Sequence, residues 1–409
     1  MSWRGWLSFF AFACAAISAD VDPQLLLSRV RAKVAVNAKQ MPRYLCRQKI
    51  ERRQFVVDSK IRSCPALVQE KTRRTRFRLR LAADDRANLD VMLAEGSEIF
   101  SWPGSGHFET AHPGDLLSGG MAGSGDFASF LIDIFGIDAV TFHYAGACES
   151  PSCVRFQYEV PLVSSHYVLK MAVREFTVGY MGTFDVDPRT ADLLRVVVLP
   201  ADPDGSLPEI CELRTQMTYA RSSSRTGDYM LPSTTEKDLL LNDASYLENR
   251  TSYQGCRQFG SESVLKFDDA DGANAAPPPG EHPAQALSFP PGTQLELSLI
   301  SKIDSQVNSA GDLVEAALTK SVRVAGRVSA PAGTIVRGHL TRMEHLYLPW
   351  NQVVIGIRFD RMMQGSSEIP LALAPLGETD EHGRGTFTFN GKRAVLEKNL
   401  VSRWVVRAP

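Results

Sequence analysis

Three groups of side chains in this 409-residue sequence have types and spacing that could do chemistry. The first is an even set of six cysteines, Cys46, Cys64, Cys148, Cys153, Cys211 and Cys256, whose chemistry depends on the redox compartment. In the second, Arg74, Arg76, Arg78 and Arg80 alternate with Phe77, Leu79 and Leu81, so an extended chain would carry four guanidiniums on one face. Such a face would attract anionic groups on a ligand. Alternatively it is a solvated strand face, cross-paired to carboxylates such as Glu159, Glu175 or Glu212. The third group, His107, Glu109, His112 and Asp115, crowds acid and base groups into one loop. Its spacing matches no metal motif, and polar residues beside Pro113 and Gly114 also form turns, so neither a metal nor a catalytic residue is predicted there.

A fourth segment, Gly119, Gly120, Gly123 and Gly125 before Asp126, could cradle a phosphate at a helix start. It lacks the Lys-Ser/Thr pair, and Asp126 stands where the anion would sit. Ala122 occupies the first glycine position of a nucleophile elbow around Ser124, which removes that reading too. A lid or entry loop is the expectation.

The compartment follows from residues 1–19, where Trp3, Arg4 and Trp6 lead into the apolar run Leu7 to Ile17 and then Ser18 and Ala19. That is the layout of a secretory signal peptide, and Cys14 would leave with it. The six remaining cysteines are then expected as disulfides in a periplasmic or secreted protein. Cys148 and Cys153 flank a proline-containing turn. Nearest-neighbour pairing would join Cys46 to Cys64 and Cys211 to Cys256, although six cysteines leave other connectivities open. Zinc would need paired Cys-x-x-Cys or His spacing that is absent, so no metal and no cofactor are expected.

A formal net charge of -1, with no aromatic residue on the arginine face, gives no argument for nucleic acid. After the leader no apolar run approaches the roughly 18 residues of a membrane span, so peripheral association is the most membrane contact expected.

The elements that would position these groups are mostly strands. Asp22 and Pro23 open a helix with Leu26, Leu27, Val30, Val34 and Ala38 at helical spacing. Period-two patterns follow at 44–51, 72–81, 89–93, 98–102, 141–145, 153–160, 167–172, 176–186, 193–199, 209–219, 236–241 and 246–259, with one further helix over 126–135 capped by Asp126 or Ser124. The segment 269–290 is rich in Asp, Ala and Pro and reads as a linker. Beyond it strands are expected at 294–300, 313–318, 334–342, 352–361, 369–373 and 386–389, and Asn390-Gly391 predicts a hairpin to 393–396. The fold class is therefore mainly β: over 20–268 an antiparallel half-barrel with one or two helices, then over 291–409 a small β-barrel or sandwich.

Two partial resemblances accompany this reading. The hairpin containing Gly182, Asp185, Asp187, Pro188, Thr190, Leu193, Leu194 and Arg195, behind an amphipathic helix, resembles the half-barrel of periplasmic lipoprotein carriers and the related sensor of sigma-factor regulation. That resemblance implies an apolar face for acyl chains or a protein partner. Phe100 to Gly104, Gly125 to Ala128 and Cys256 to Phe259 also resemble a family of exported acidobacterial proteins. Pro291, Gly292, Thr293, Ile303, Asp304, Ser305, Gly311, Asp312, Pro331, Gly333 and Gly338 are similar to the barrel domain of the outer-membrane-channel subunit of type IV secretion systems. No apolar helix pair could form a pore, so channel function is not implied.

Together these readings predict an exported, non-enzymatic binding protein of the cell envelope, possible outer-membrane association included, that holds a lipid or other amphipathic ligand or an envelope protein. Two alternatives stay open: a hydrolase of polysaccharides or esters using His107, Glu109, His112 and Asp115, and a structural component of an envelope assembly.

Overall fold

In the computed structural model the described residues run from 22 to 407, apart from 41–42, 58–62, 74–77, 95–96, 106–107, 118–119, 149–152, 172–173, 202–206, 208, 225–226, 259–288, 325, 366 and 377–384. The expected leader, most of the expected linker, Arg74, Arg76 and His107 lie outside them.

The chain is mainly β, and its first half is built on one open antiparallel sheet. Helix α1 (Pro23–Gln40) starts under the Asp22 carboxylate, which accepts the Gln24 and Leu25 N–H groups at 2.9 and 3.3 Å. Strand β1 (Tyr44–Val57) follows, then helix α2 (Cys64–Arg73), β2 (Leu79–Ala94) and β3 (Ser97–Ser101). Helix α3 (Ser129–Gly136) precedes β4 (Thr141–Ala147), β5 (Val154–Val160), and the small pair β6 (Val168–Met171) and β7 (Arg174–Thr177). The half ends with β8 (Tyr180–Val186), β9 (Leu193–Pro200), β10 (Ile210–Ser224), β11 (Gly227–Leu241) and β12 (Ser245–Gln258). Neighbours in the sheet run β4-β5-β8-β9-β10-β11-β12-β1-β2-β3, so β12 returns to pair with β1.

That return corrects the expected disulfides. The bonds are Cys46–Cys256, joining β1 to β12, and Cys64–Cys211, joining α2 to β10; Cys148–Cys153 is as expected. Nearest neighbours in sequence are not neighbours in space here, because the sheet order brings the two ends of the half together.

The strand expected over 72–81 is also corrected. Thr72 and Arg73 end α2, and β2 begins only at Leu79. Pro65 fits the first turn of that helix, and Leu67, fully buried against Val57, Leu240, Ala244 and Tyr246, anchors it. The other expected helix starts three residues late. Its N-cap is Ala128, with no side-chain cap, because the Asp126 carboxylate is engaged elsewhere.

The second half packs its own core, with Trp404, Phe359, Ile355, Leu297 and Ala316 at its centre. It contains β13 (Gln294–Leu299), β14 (Ile303–Asp304), β15 (Leu313–Leu318), β16 (Val322–Val324), β17 (Arg327–Ala330) and β18 (Ile335–Leu346). After these come β19 (Gln352–Gln364), β20 (Ser367–Pro370), β21 (Leu373–Pro375), β22 (Gly385–Asn390), β23 (Val395–Leu396) and β24 (Val401–Val406). The strands wrap round the core in the order β21-β24-β13-β15-β18-β19, without forming a closed barrel. Asn390-Gly391 turns the chain, but the hairpin expected there does not form. Strand β22 pairs with β19, and β23 pairs with β14, where Arg393 meets the Asp304 carboxylate and the Ala394 N–H reaches the Ser305 hydroxyl.

The halves share one sheet through β2, whose residues Ala83 to Asp85 pair with Leu346 to Glu344 of β18. Beside this seam Ala310 exchanges backbone hydrogen bonds with Arg86 and Asn88 at 2.9 and 2.7 Å. Gly311 sits at φ +92°, and a Cβ there would lie 2.1 Å from the Asn88 carbonyl oxygen. Gly311→Ala is therefore expected to lower stability by about 3 kcal/mol and to loosen the two halves, as read by urea unfolding and by protease cleavage between them.

Candidate functional site

One face of the first sheet is covered by α1, α3 and the segment from Gly120 to Ala128. Leu26, Val30 and Val34 form the apolar stripe of α1 and pack with Phe130, Leu131, Ile134 and Phe135 over sheet residues including Tyr158, Tyr180, Phe184, Met217 and Tyr219. Aromatic pairs knit this layer; Phe135 meets Phe184 edge-to-face at 5.0 Å and Phe130 meets Tyr180 at 5.6 Å.

The other side of α1 is held by polar contacts. Arg29 donates to the Arg189 carbonyl at 2.8 Å, Arg31 to the Phe135 carbonyl at 3.2 Å, and Lys33 to the Thr190 carbonyl at 2.9 Å. Lys33 also meets Asp192 at 2.5 Å, and Arg221 pairs with the same carboxylate. Between α1 and β9 to β11 runs a crevice with Val34, Leu131, Leu193, Tyr219 and Met230 on its walls and Lys33 and Arg221 at its mouth. It encloses about 40 Å³, room for a water but not for an acyl chain.

The Gly120–Ala128 segment is fastened by buried ionisable groups. Glu98 of β3 accepts the Gly125 and Phe127 N–H groups on its two oxygens, at 2.8 and 2.7 Å. Asp126, itself buried, accepts the Tyr253 hydroxyl at 2.5 Å and lies 3.3 Å from the Lys237 ammonium of β11. Tyr219 donates to the Asp126 carbonyl at 3.0 Å, and Asn249 to the Met121 carbonyl at 2.7 Å. A Cβ at Gly123 would sit 2.8 Å from the Lys237 ammonium, which would have to shift its flexible side chain to admit it. Burial pushes Glu98 up to about 7, the Asp126 charge adds to the rise, and the two N–H groups and Lys237 oppose it. Burial first, and the Asp126 and Glu98 charges after it, push the Tyr253 hydroxyl well above its ordinary value.

The sequence-predicted residues fare differently. Arg78 and Arg80 are exposed at the start of β2, so the tetrad is not assembled on one strand among the described residues. Of the expected carboxylates, Glu175 pairs with Lys170 and Glu212 with Lys71. The neighbouring cations of β1 are matched in register by β2 instead. Arg47 meets Asp90 at 2.5 Å, Arg52 meets Asp85, and Arg53 stands opposite Asp84. In the loop, Asp115 accepts the Thr110 hydroxyl at 2.5 Å, while Glu109 reaches 3.7 Å towards Arg358 of the second half. Each carboxylate is thus engaged in its own contact. The Gly-rich segment does cover the sheet. The strongest cluster, Glu98, Asp126, Lys237 and Tyr253, was missed; its signal was Lys237 and Thr235 at inward positions of a strand.

Cys148, Cys153 and Asp185 lie within 4.8 Å of one another, a spacing a metal could use. The two sulfurs are bonded to each other and Asp185 is held by Arg155 and Arg195, so the donor set does not fit a metal. Among the described residues no helix is long and apolar enough to cross a membrane. No protein-family model matches the chain, and no curated protein matches it.

Proposed function

We propose that the chain is an exported, non-enzymatic binding protein of the cell envelope that holds an amphipathic ligand, a lipid foremost, on the covered face of its first sheet. The observation that carries this is the crevice under α1, apolar and aromatic on its walls, with Lys33 and Arg221 paired to Asp192 and Asp228 beside it. Acyl carbons would meet Val34, Leu193 and Met230. An anionic head group would compete with Asp192 for Lys33 and Arg221. Because the crevice is narrow, α1 acts as a strap that must lift for loading. Its fastening by three surface cations and one apolar stripe suits that task. Three disulfides support the reading of an oxidising compartment. The second half, with its separate core and shared strand pairing, would dock the complex to an envelope partner.

Native mass spectrometry of the mature chain, purified without detergent and then offered lysophosphatidylglycerol, is the test. Lipid adducts are expected on the natural chain, and Met230→Trp, which fills the crevice, is expected to reduce uptake at least ten-fold. A clean apo mass with no uptake at any lipid concentration overturns the proposal.

A further inference from the structure

We infer that the cleft between the two halves is a second binding site, for an acidic sugar. The cleft encloses about 400 Å³ and lies where β18 joins the first sheet. That volume lies in the range of small-molecule sites.

Its floor is a row of residues in register across three strands, with Arg53 of β1 opposite Asp84 of β2, and Asp84 opposite His345 of β18. Directly opposed residues of antiparallel strands share a face, so the three point into the same space. Beside this row stand Glu51 and Arg86, also opposed. The His345 ring stacks on Tyr347 at 4.2 Å, and Tyr347 donates to Asp84 at 3.1 Å, which provides a flat aromatic wall against a polar floor. Ser305 and Gln306 close the far side.

The balance of charge decides the ligand. Asp85 is taken by Arg52 and Glu344 by Arg342. Arg86 spends its guanidinium on the Ser305 and Asn308 carbonyls, at 3.0 and 3.4 Å. Arg53 is more than half exposed, with its nearest carboxylate, Glu51, at 3.8 Å. Lys392 at the rim is exposed and has no ion-pair partner among the described residues. Lys392 and the loosely paired Arg53 thus line the same volume as the acceptor oxygens of Glu51 and Asp84. A bare anion would meet those carboxylates unfavourably. A ring bearing a carboxylate and several hydroxyls satisfies both signs: the carboxylate on Arg53 and Lys392, the hydroxyls on Asp84, Glu51 and Ser305, and the ring face on Tyr347 or His345.

Isothermal titration of the full mature chain tests this with digalacturonate, neutral digalactose and inorganic phosphate as separate ligands. Digalacturonate is expected to bind, with affinity at least ten-fold lower in Arg53→Gln and in Lys392→Ala, both surface changes that should leave the thermal midpoint in place. Met230→Trp, which lies in the α1 crevice, is expected to leave this binding unchanged, so the fate of the lipid reading is scored separately. Absence of binding, equal affinity for digalactose, phosphate binding as tight as digalacturonate, or full affinity in both variants would each overturn the assignment.

Discussion

Unfolding in urea between pH 4 and pH 8 is expected to find the natural chain losing stability relative to Glu98→Gln as the pH rises, by about 3 kcal/mol across the window. Glu98 titrates near 7 in the folded protein against an ordinary value of 4.5. The folded state therefore binds the extra proton between those values, and linkage makes stability fall as the proton is lost. The contribution is fully present below pH 4.5 and gone above about 7. Glutamine keeps one acceptor for the Gly125 and Phe127 N–H groups but cannot ionise, so its own stability is free of this slope. It costs about 2 kcal/mol at acid pH for the N–H left facing an amide donor. The two curves should cross between pH 4.5 and 7, with the natural chain about 2 kcal/mol the more stable below that range and Glu98→Gln about 1 kcal/mol the more stable above it. Parallel curves would mean that Glu98 does not hold an extra proton in the folded state across this range.

The second large effect belongs to the disulfides. Cys46–Cys256 closes a sequence separation of 210 residues and Cys64–Cys211 one of 147. Chain-entropy reasoning assigns each a stabilisation of about 5 kcal/mol, against about 2 kcal/mol for the short Cys148–Cys153 loop. Replacing Cys46 and Cys256 together by alanine is expected to shift the urea midpoint far more than replacing Cys148 and Cys153. Peptide mapping of the intact chain should recover Cys46 with Cys256 and Cys64 with Cys211. Recovery of Cys46 with Cys64 would contradict the sheet order itself, because it would place α2 beside the start of β1.

Much of this architecture was readable in the residues. Asp22 and Pro23 announce α1, and alternation marks most strands of the first half, whereas β14, β16, β17 and β24 of the second half lie where no strand was expected. What resisted reading depended on contacts between distant segments. Cys46 finds Cys256 only because β12 comes back to β1, which local spacing cannot encode. The alternating arginines after Thr72 look like strand, yet Leu67 and the Cys64 bond draw the preceding residues into a helix that runs to Arg73. Asn390-Gly391 makes its turn, but Asp304 captures Arg393 and leads the following strand to a different partner. Asp126 has the type and position of a helix cap, and Tyr253 and Lys237 claim it instead. Glu98 offered no local signal at all; its role arises from a loop folding over it.

The central claim is that α1 is a strap over an apolar face and lifts to admit an amphipathic ligand. Hydrogen–deuterium exchange of residues 23–40, measured with and without lysophosphatidylglycerol below its micelle concentration, tests it most directly. Faster exchange in α1 together with slower exchange in β9 to β11 on ligand addition is the predicted result. Unchanged protection in all four elements, at lipid concentrations that saturate any binding, would contradict it.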